Sequence, residues 1–320
     1  MILPDFKYHA PESLNEAVEW LAVNHFKGVG ILAGGTDLLV MMRGRAIPFG
    51  HMPTKHSYDS NIWKAKPALR YTPNWVMSIT RIPGLKEIKV ENNQLRIGPL
   101  VTHNQLEQSP LIQQHAQGLA ESAAILGSPL CRNRGTYGGN LCNARPASDT
   151  TIPTLALGGK LKLLSVRGER IVDHVDFVTA PGKTIIEPDE ILVEIYFDLP
   201  ENPRFSSYIK LGNRKALDIA VVGVAAAVEM NGSEIIRNSS IALASVAPKP
   251  IRIDKASQAI NGKELNSETA QVAARIARDE IKPIDDQRGS AQYRYRMVEE
   301  LVERALMNCL DRKCSREVTV

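Results

Sequence analysis

Arg134-Gly-Thr-Tyr-Gly-Gly-Asn-Leu-Cys-Asn-Ala-Arg-Pro-Ala-Ser-Asp149 packs three glycines, three asparagine or aspartate side chains and a proline into one short run just before the middle of the chain. Gly135, Gly138 and Gly139 allow positive φ and close approach of the backbone to a ligand. Successive N–H groups in such a turn make a concave nest for an anion. Asp149, ten residues past Gly139, can accept hydrogen bonds from a hydroxylated ligand. By itself a glycine pair reads as a turn. A similar run about a hundred residues earlier, Ile31-Leu-Ala-Gly-Gly-Thr-Asp-Leu38, changes that reading. Two glycine-rich loops fit two sides of one extended, phosphate-bearing ligand.

The first of these loops has a readable local setting. Ser13-x-x-Glu16 is a capping-box pattern opening a helix with Leu14, Ala17, Val18, Leu21 and Ala22 on one face, which Gly28 can end. Val29 to Ala33 then reads as a short buried strand, Gly34-Gly35-Thr36 as a loop and Asp37 to Arg43 as a helical stretch. Strand, glycine loop and helix start together aim backbone N–H groups at an anion. Gly28-Val-Gly30-Ile-Leu-Ala33 matches G-x-G-x-x-A, but its glycines precede the strand, so a Rossmann reading fails.

The remaining organisation follows from turn signals and alternation. Val76 to Ile79, and the pair Ile88–Val90 and Leu95–Ile97 around Glu91-Asn-Asn-Gln, alternate as half-buried strands. Thr102-x-x-Gln105 caps helical sequence that runs to Leu126 with a break at Ser109-Pro110. Thr151 to Leu157 is apolar, Lys160 to Val172 is a hairpin, and Ile191 to Leu199 is a strand. Pro200-Glu-Asn-Pro203 marks a boundary between domains 1–200 and 201–320. Beyond it the pattern gives strands at Tyr208–Lys210, Ile219–Glu229 and Ser240–Val246, with Asn231-Gly232 as a hairpin turn. Helices follow over Ser267–Ile281 and Ser290–Leu310. The last carries Tyr293, Met297, Leu301, Ala305 and Cys309 as a core stripe, and the tail after Cys314 is expected to fray. Residues 46–75, rich in proline and aromatic side chains, form an unusual excursion; His51 and His56 within it are read as structural.

The bulk numbers exclude several classes. A chain of 320 residues with 43% hydrophobic and 23% charged residues is globular. A net charge of +4 with no dense Lys/Arg block gives no nucleic-acid partner. The longest apolar run, Ile219 to Val228, is too short to span a bilayer, and the N-terminus lacks the pattern of a secretory signal. A cytoplasmic protein is expected. Cys131, Cys142, Cys309 and Cys314 contain no C-x-x-C pair and no metal or cluster spacing. No catalytic constellation stands out, so catalytic and metal residues are both read as none, and a bound redox cofactor would supply the chemistry.

With these motifs quoted, the chain resembles the FAD-binding medium subunit of the molybdenum hydroxylases, the family of xanthine dehydrogenase and carbon monoxide dehydrogenase. The resemblance rests on the two glycine motifs, on Ala144-Arg-Pro-Ala-Ser-Asp149, on Tyr208-Ile-Lys-Leu-Gly-Asn-Arg-Lys-Ala-Leu-Asp-Ile-Ala220 and on Asp285-Asp-Gln-Arg-Gly-Ser-Ala-Gln-Tyr-Arg294. It implies an α+β protein: a two-lobed FAD-binding domain of the vanillyl-alcohol-oxidase (PCMH) type, then a smaller C-terminal domain of antiparallel sheet and helices. It implies non-covalent FAD whose diphosphate is held by Ile31, Leu32, Ala33, Gly34, Gly35, Thr36, Asp37 and Leu38, and by Thr136, Tyr137, Gly138, Gly139 and Asn140. Asp149 would meet the nucleotide part, Leu126 and Leu192 would line the cofactor, and Lys210 would lie near the flavin. Tyr137 stands where the family has an aliphatic residue.

The implied role is electron relay inside a dimer of heterotrimers, toward an external acceptor. The molybdenum cofactor belongs to a large partner subunit and the [2Fe–2S] clusters to a small one. Alternatives are a stand-alone flavin oxidase of the same fold, an aromatic acyl-CoA reductase branch member lacking the extra cluster, and a binding protein that has lost its flavin.

Overall fold

In the computed structural model the described residues are 3–44, 71–232 and 234–317. The excursion 46–75 lies outside them up to residue 70, as do His51 and His56.

Among the described residues three larger sheets and one two-stranded ribbon carry the fold. The first holds β1 (Lys7–His9), β2 (Val29–Leu32) and β3 (Trp75–Ser78) in the order β1-β3-β2, all parallel. Between β1 and β2 runs α1 (Leu14–Asn24), whose buried Ala17, Val18 and Leu21 pack on Met77 and Ile79. The Ser13 hydroxyl accepts from Glu16 N, as the capping pattern requires, but the Glu16 carboxylate reaches one residue further back, to Glu12 N at 2.8 Å. After β2 comes α2 (Leu38–Met42).

The second sheet contains β4 (Ile88–Glu91), β5 (Gln94–Ile97), β6 (Lys160–Ser165), β7 (Gly168–Asp173) and β10 (Ile191–Asp198). It is antiparallel in the order β4-β5-β10-β6-β7. The β4–β5 hairpin turns through Asn92 and Asn93 at φ 52° and 56°, the left-handed pair that a two-residue turn needs and that asparagine tolerates. The ribbon β8 (Val178–Ala180) and β9 (Lys183–Thr184) lies before β10. Between β5 and β6 the chain makes α3 (His103–Gln108), α4 (Pro110–His115), α5 (Gln117–Ala124), α6 (Pro129–Arg132), α7 (Tyr137–Asn143) and α8 (Thr151–Ala156), and α9 (His174–Phe177) follows β7. Thr102 and Gln105 form the full capping box, and Ser109 caps α4 with Pro110 at its first turn.

The third sheet runs β11 (Arg204–Leu211), β12 (Val222–Met230), β13 (Ile236–Ala244) and β14 (Ile251–Arg252), antiparallel and in sequence order. Then come α10 (Asp254–Ile260), α11 (Ser267–Glu280) and α12 (Ala291–Glu317). The two faces of this sheet differ. Val224, Val228, Ile241 and Leu243 pack against Ala273, Ala277, Val302 and Leu306 of the helices. Ala225, Ala227, Ala242 and Ala244 face the other way, into the cluster holding Tyr137, Ile152 and Leu155. Small side chains there let α8 lie close: a Cβ on Gly223 would come 2.8 Å from Ile152 Cδ1.

Three expectations shift. The strand expected from Ile219 begins at Val222, because the Asp218 carboxylate gathers the amides of Arg214 and Ile219 into a turn. Tyr293 of the expected α12 stripe is 42% exposed, while Leu301, Ala305 and Cys309 are buried. The stripe engages the core only from its second turn onward. The helix also continues past Cys314 to Glu317, where fraying was expected.

Candidate functional site

The two glycine loops meet back to back. Gly35 has φ +77°, which lets the chain turn out of β2. Gly34 has no room for a side chain: its Cβ would lie 2.0 Å from the Arg134 carbonyl oxygen and 3.0 Å from Gly135 Cα. The Thr36 hydroxyl is hydrogen-bonded with the Cys131 thiol. Burial is the main influence raising the pKa of that thiol, the Asp37 carboxylate adds to it, and the Thr36 bond opposes both.

Hydrogen bonding separates the two loops. In the first, the amides of Gly34, Gly35, Thr36, Asp37 and Leu38 donate to no other described residue. Ile31 is exposed, and Leu32 and Ala33 are half-buried. In the second, Tyr137 N donates to Val101 O at 2.8 Å, Gly138 N to Pro99 O at 2.9 Å and Asn140 N to Thr136 O at 3.0 Å. Gly139 N donates to the hydroxyl of the N-cap residue Thr136. A Cβ on Gly138 would fall 2.5 Å from Pro99 Cβ, so this glycine is required by close packing. Gly139 alone is open: it is exposed, and its Cβ would meet only Thr136 Oγ1, at 2.8 Å.

Tyr137 points inward and is fully buried, its hydroxyl 2.6 Å from Thr154 Oγ1 of α8. Thr154 itself donates to Thr150 O, leaving its oxygen to accept from the phenol. Burial drives the Tyr137 pKa up, and the Thr154 bond opposes it.

Asp149 is tied to the second loop from one side and to the third sheet from the other. The Asn140 carboxamide oxygen accepts from Ser148 Oγ at 2.5 Å and from Thr150 Oγ1 at 2.7 Å, fixing the residues on both sides of Asp149. Asp149 Oδ1 accepts from Tyr208 Oη at 2.7 Å and Oδ2 from Lys210 Nζ at 3.0 Å. The carboxylate and ammonium are 9% and 8% exposed, making this a buried ion pair. Burial raises the Asp149 pKa, and Lys210 and Tyr208 oppose that shift. The phenol of Tyr208 is pushed well above its ordinary value, by burial first and then by Asp149. Sequence reading singled out Asp149 and Lys210 separately; the fold joins them.

The other site residues are more dispersed. Leu126 is buried at the turn between α5 and α6, where its carbonyl accepts from Arg132. Leu192 is buried in β10 at a bulge, in the cluster with Leu163, Phe177 and Tyr208. Tyr208 escaped the sequence reading, although its position two residues before Lys210 on a strand puts both on one face. Glu121 escaped it too; its carboxylate accepts from Tyr208 N at 2.9 Å and pairs with Arg312 of α12. No sequence signal links three residues so far apart. Among the described residues no group of three His, Cys, Asp or Glu side chains is arranged to hold a metal, and no helix is long and apolar enough to cross a membrane.

Comparison with known proteins matches this architecture over nearly the whole chain. Residues 62–200 match the family described as FAD binding domain in molybdopterin dehydrogenase, and residues 207–309 the CO dehydrogenase flavoprotein C-terminal domain. The chain is 32% identical to the carbon monoxide dehydrogenase medium chain of Hydrogenophaga pseudoflava, covering 96% of this chain and 97% of that one. It is 30% identical to the nicotinate dehydrogenase FAD-subunit of Eubacterium barkeri, covering 97% of each. A solved structure of the Hydrogenophaga pseudoflava carbon monoxide dehydrogenase superposes with a TM-score of 0.83 at 32% identity, over 98% of this chain and 99% of that one. Quinoline 2-oxidoreductase from Pseudomonas putida 86 gives 0.81 at 26% identity, over 97% and 98%.

Proposed function

Since the chain belongs to the family of FAD-binding medium subunits of molybdenum hydroxylase-type oxidoreductases, we propose that it works as the electron relay of such a complex. The observation that carries this is the first loop: five consecutive amides without a partner among the described residues, held against a second glycine loop. Such a row of donors fits a diphosphate.

The loops divide the work of holding FAD. Residues Ile31 to Leu38 supply the amide donors. Thr136 to Asn140 spend most of theirs internally, so they contribute shape: Gly139 leaves a bare backbone edge on which the cofactor can rest. Asp149 and Lys210 meet the cofactor as a pair, with Tyr208 orienting the carboxylate. The Lys210 charge favours electron density nearby, and Asp149 partly offsets it. Leu126 and Leu192 supply apolar lining. Bound FAD carries electrons between a donor and an acceptor that this chain does not contain.

The FAD-binding part is residues 1–200 and the C-terminal part 201–320, with the Asp149–Lys210 pair spanning the two. The chain acts in the cytoplasm beside a large subunit carrying the molybdenum cofactor and a small subunit carrying [2Fe–2S] clusters. The assembly is a dimer of heterotrimers that delivers electrons to an external acceptor.

Absorbance before and after acid precipitation tests the reading. Native protein is expected to be yellow and to release its colour to the supernatant, as non-covalent FAD does. Colour kept in the pellet would favour a flavin oxidase with tethered cofactor. Colourless native protein that takes up no added FAD would overturn the relay.

A further inference from the structure

The stretch Asp285-Asp-Gln-Arg-Gly-Ser-Ala-Gln-Tyr-Arg294 lies outside the proposed flavin contacts and folds into a tight turn that opens α12. Asp286 and Gly289 exchange both backbone bonds, at 3.1 and 3.3 Å, and Asp285 Oδ1 accepts from Ala291 N at 2.6 Å. This turn sets the Asp286 carboxylate against Arg294, in the first turn of the helix. The carboxylate accepts from Arg294 Nη2 at 2.7 Å, from Arg288 Nη1 at 3.0 Å and from Arg288 N at 2.8 Å. Burial pushes the Asp286 carboxyl up, but these bonds and the two arginine charges outweigh it and hold it below its ordinary value.

Arg294 is itself buried, and its second nitrogen reaches the third sheet: Nη1 donates to Ser245 O at 2.5 Å. Ser245, the residue after β13, has φ +64°. Glycine takes that left-handed backbone freely, whereas a serine there is strained and must be held. The Ser245 hydroxyl does not hold it, being buried without a hydrogen-bond partner. The backbone is held on both sides instead. Its carbonyl is taken by Arg294, and its N–H donates to Pro146 O at 3.0 Å. Rotating φ to the ordinary negative range would swing one of these groups off its partner.

Pro146 lies three residues before Asp149. Within the first domain this loop is tied down by Gly182 N on Ala144 O, at 2.9 Å, and by Ser148 on Asn140. The third sheet grips it twice. The end of β11 holds Asp149 through Tyr208 and Lys210, and the end of β13 holds Pro146 through Ser245. We propose that Arg294 is a positioning residue for the flavin site: by holding Ser245 in the left-handed turn it sets the loop that presents Asp149. This rests on the reading that Asp149 meets FAD. A loop that spends less time in the held conformation binds the cofactor more weakly by that fraction.

Hydrogen exchange on the full chain, without and with FAD, tests the grip. In Arg294→Met the amides of residues 144–150 should exchange about tenfold faster than in the parent, while those of β12 keep their rates. FAD should bind about tenfold more weakly. Adding Ser245→Gly to Arg294→Met should return both readouts close to the parent, since glycine keeps the turn unaided. If Arg294→Met does not fold, Asp286→Asn, which loosens the arginine, should shift both readouts about threefold. The proposal is overturned by parent-like exchange at 144–150, by equal speeding of β12, by unchanged FAD affinity once the loop is loosened, or by a double variant no better than the single one. Parent protein that binds no FAD would instead sink the relay reading, and exchange on the flavin-free chain would still decide whether Arg294 sets the loop.

Discussion

The two glycine loops look alike in sequence and behave differently in the fold. Ala33-Gly-Gly-Thr36 leaves its amides open, whereas Thr136-Tyr-Gly-Gly-Asn140 turns nearly all of its own inward. The difference comes from what lies behind each loop. The first ends a strand at the edge of a small parallel sheet, with nothing in the described chain to receive its N–H groups. The second starts a short helix that docks on the Pro99–Val101 carbonyls and caps itself with Thr136. A glycine pair therefore announces close backbone approach, but either a ligand or the protein's own core can be what approaches.

Changes at these loops should separate stability from flavin binding. The largest effect is expected where the second loop is anchored. Lys210→Met strips buried Asp149 of its cation and should cost about 4 kcal/mol. Urea unfolding would measure this, and combining it with Asp149→Asn should recover part of the loss. A double variant no better than the single one would mean that the pair is not coupled.

Next come the two packed glycines. Gly34→Ala and Gly138→Ala each force a Cβ into occupied space and should cost about 3 kcal/mol. They should differ in cofactor: Gly34→Ala loses flavin because the donor loop moves, while folded Gly138→Ala keeps it. Equal flavin content in the two folded variants would erase the proposed division of labour.

Acid should loosen the second loop next. His103 is buried with its Nδ1 unpartnered, and Gly135 lies against its ring. Burial, with a smaller contribution from Arg132, lowers its pKa to about 4; burial alone lowers that of His174 to about 3. Both stay neutral in the folded chain near pH 5 but are protonated once unfolded. Their depressed values therefore add stability above pH 6.5 that is lost as pH falls toward about 4. At pH 5 the loss from each is about 2 kcal/mol. Thermal midpoints measured from pH 7 to pH 5 should fall, and His103→Phe should flatten that slope. An unchanged slope would remove His103 from the account.

The smallest change in stability is expected at Gly139. A Cβ at Gly139 meets only the Thr136 hydroxyl, at 2.8 Å, so Gly139→Val strains that cap of α7 and should cost about 1 kcal/mol of stability. Flavin content should nonetheless drop at least tenfold, read as absorbance released by acid. Normal flavin loading would show that this edge does not face the cofactor.

Much of the site was readable because it rests on local rules. The strand–glycine–helix order at residue 34, the Asn-Asn turn at 92–93 and the Thr102 capping box each need only neighbouring residues. What escaped depends on distant partners. Tyr137 read as a departure from the aliphatic residue of the family, and it is a core residue reaching Thr154. Asp149 read as a ligand contact awaiting a cofactor, and it already holds Tyr208 and Lys210.

The sequence alone determined the kinds of backbone available: where glycine permits a turn, where a cap starts a helix and where alternation makes a strand. These are interactions within a few residues, and composition sets them. Tertiary structure decided how each turn is used. Whether an amide is spent or open, and whether a buried charge is paired, depends on which segments meet. Chain folding brings residue 34 against 134 and residue 149 against 210, and no local pattern encodes those meetings.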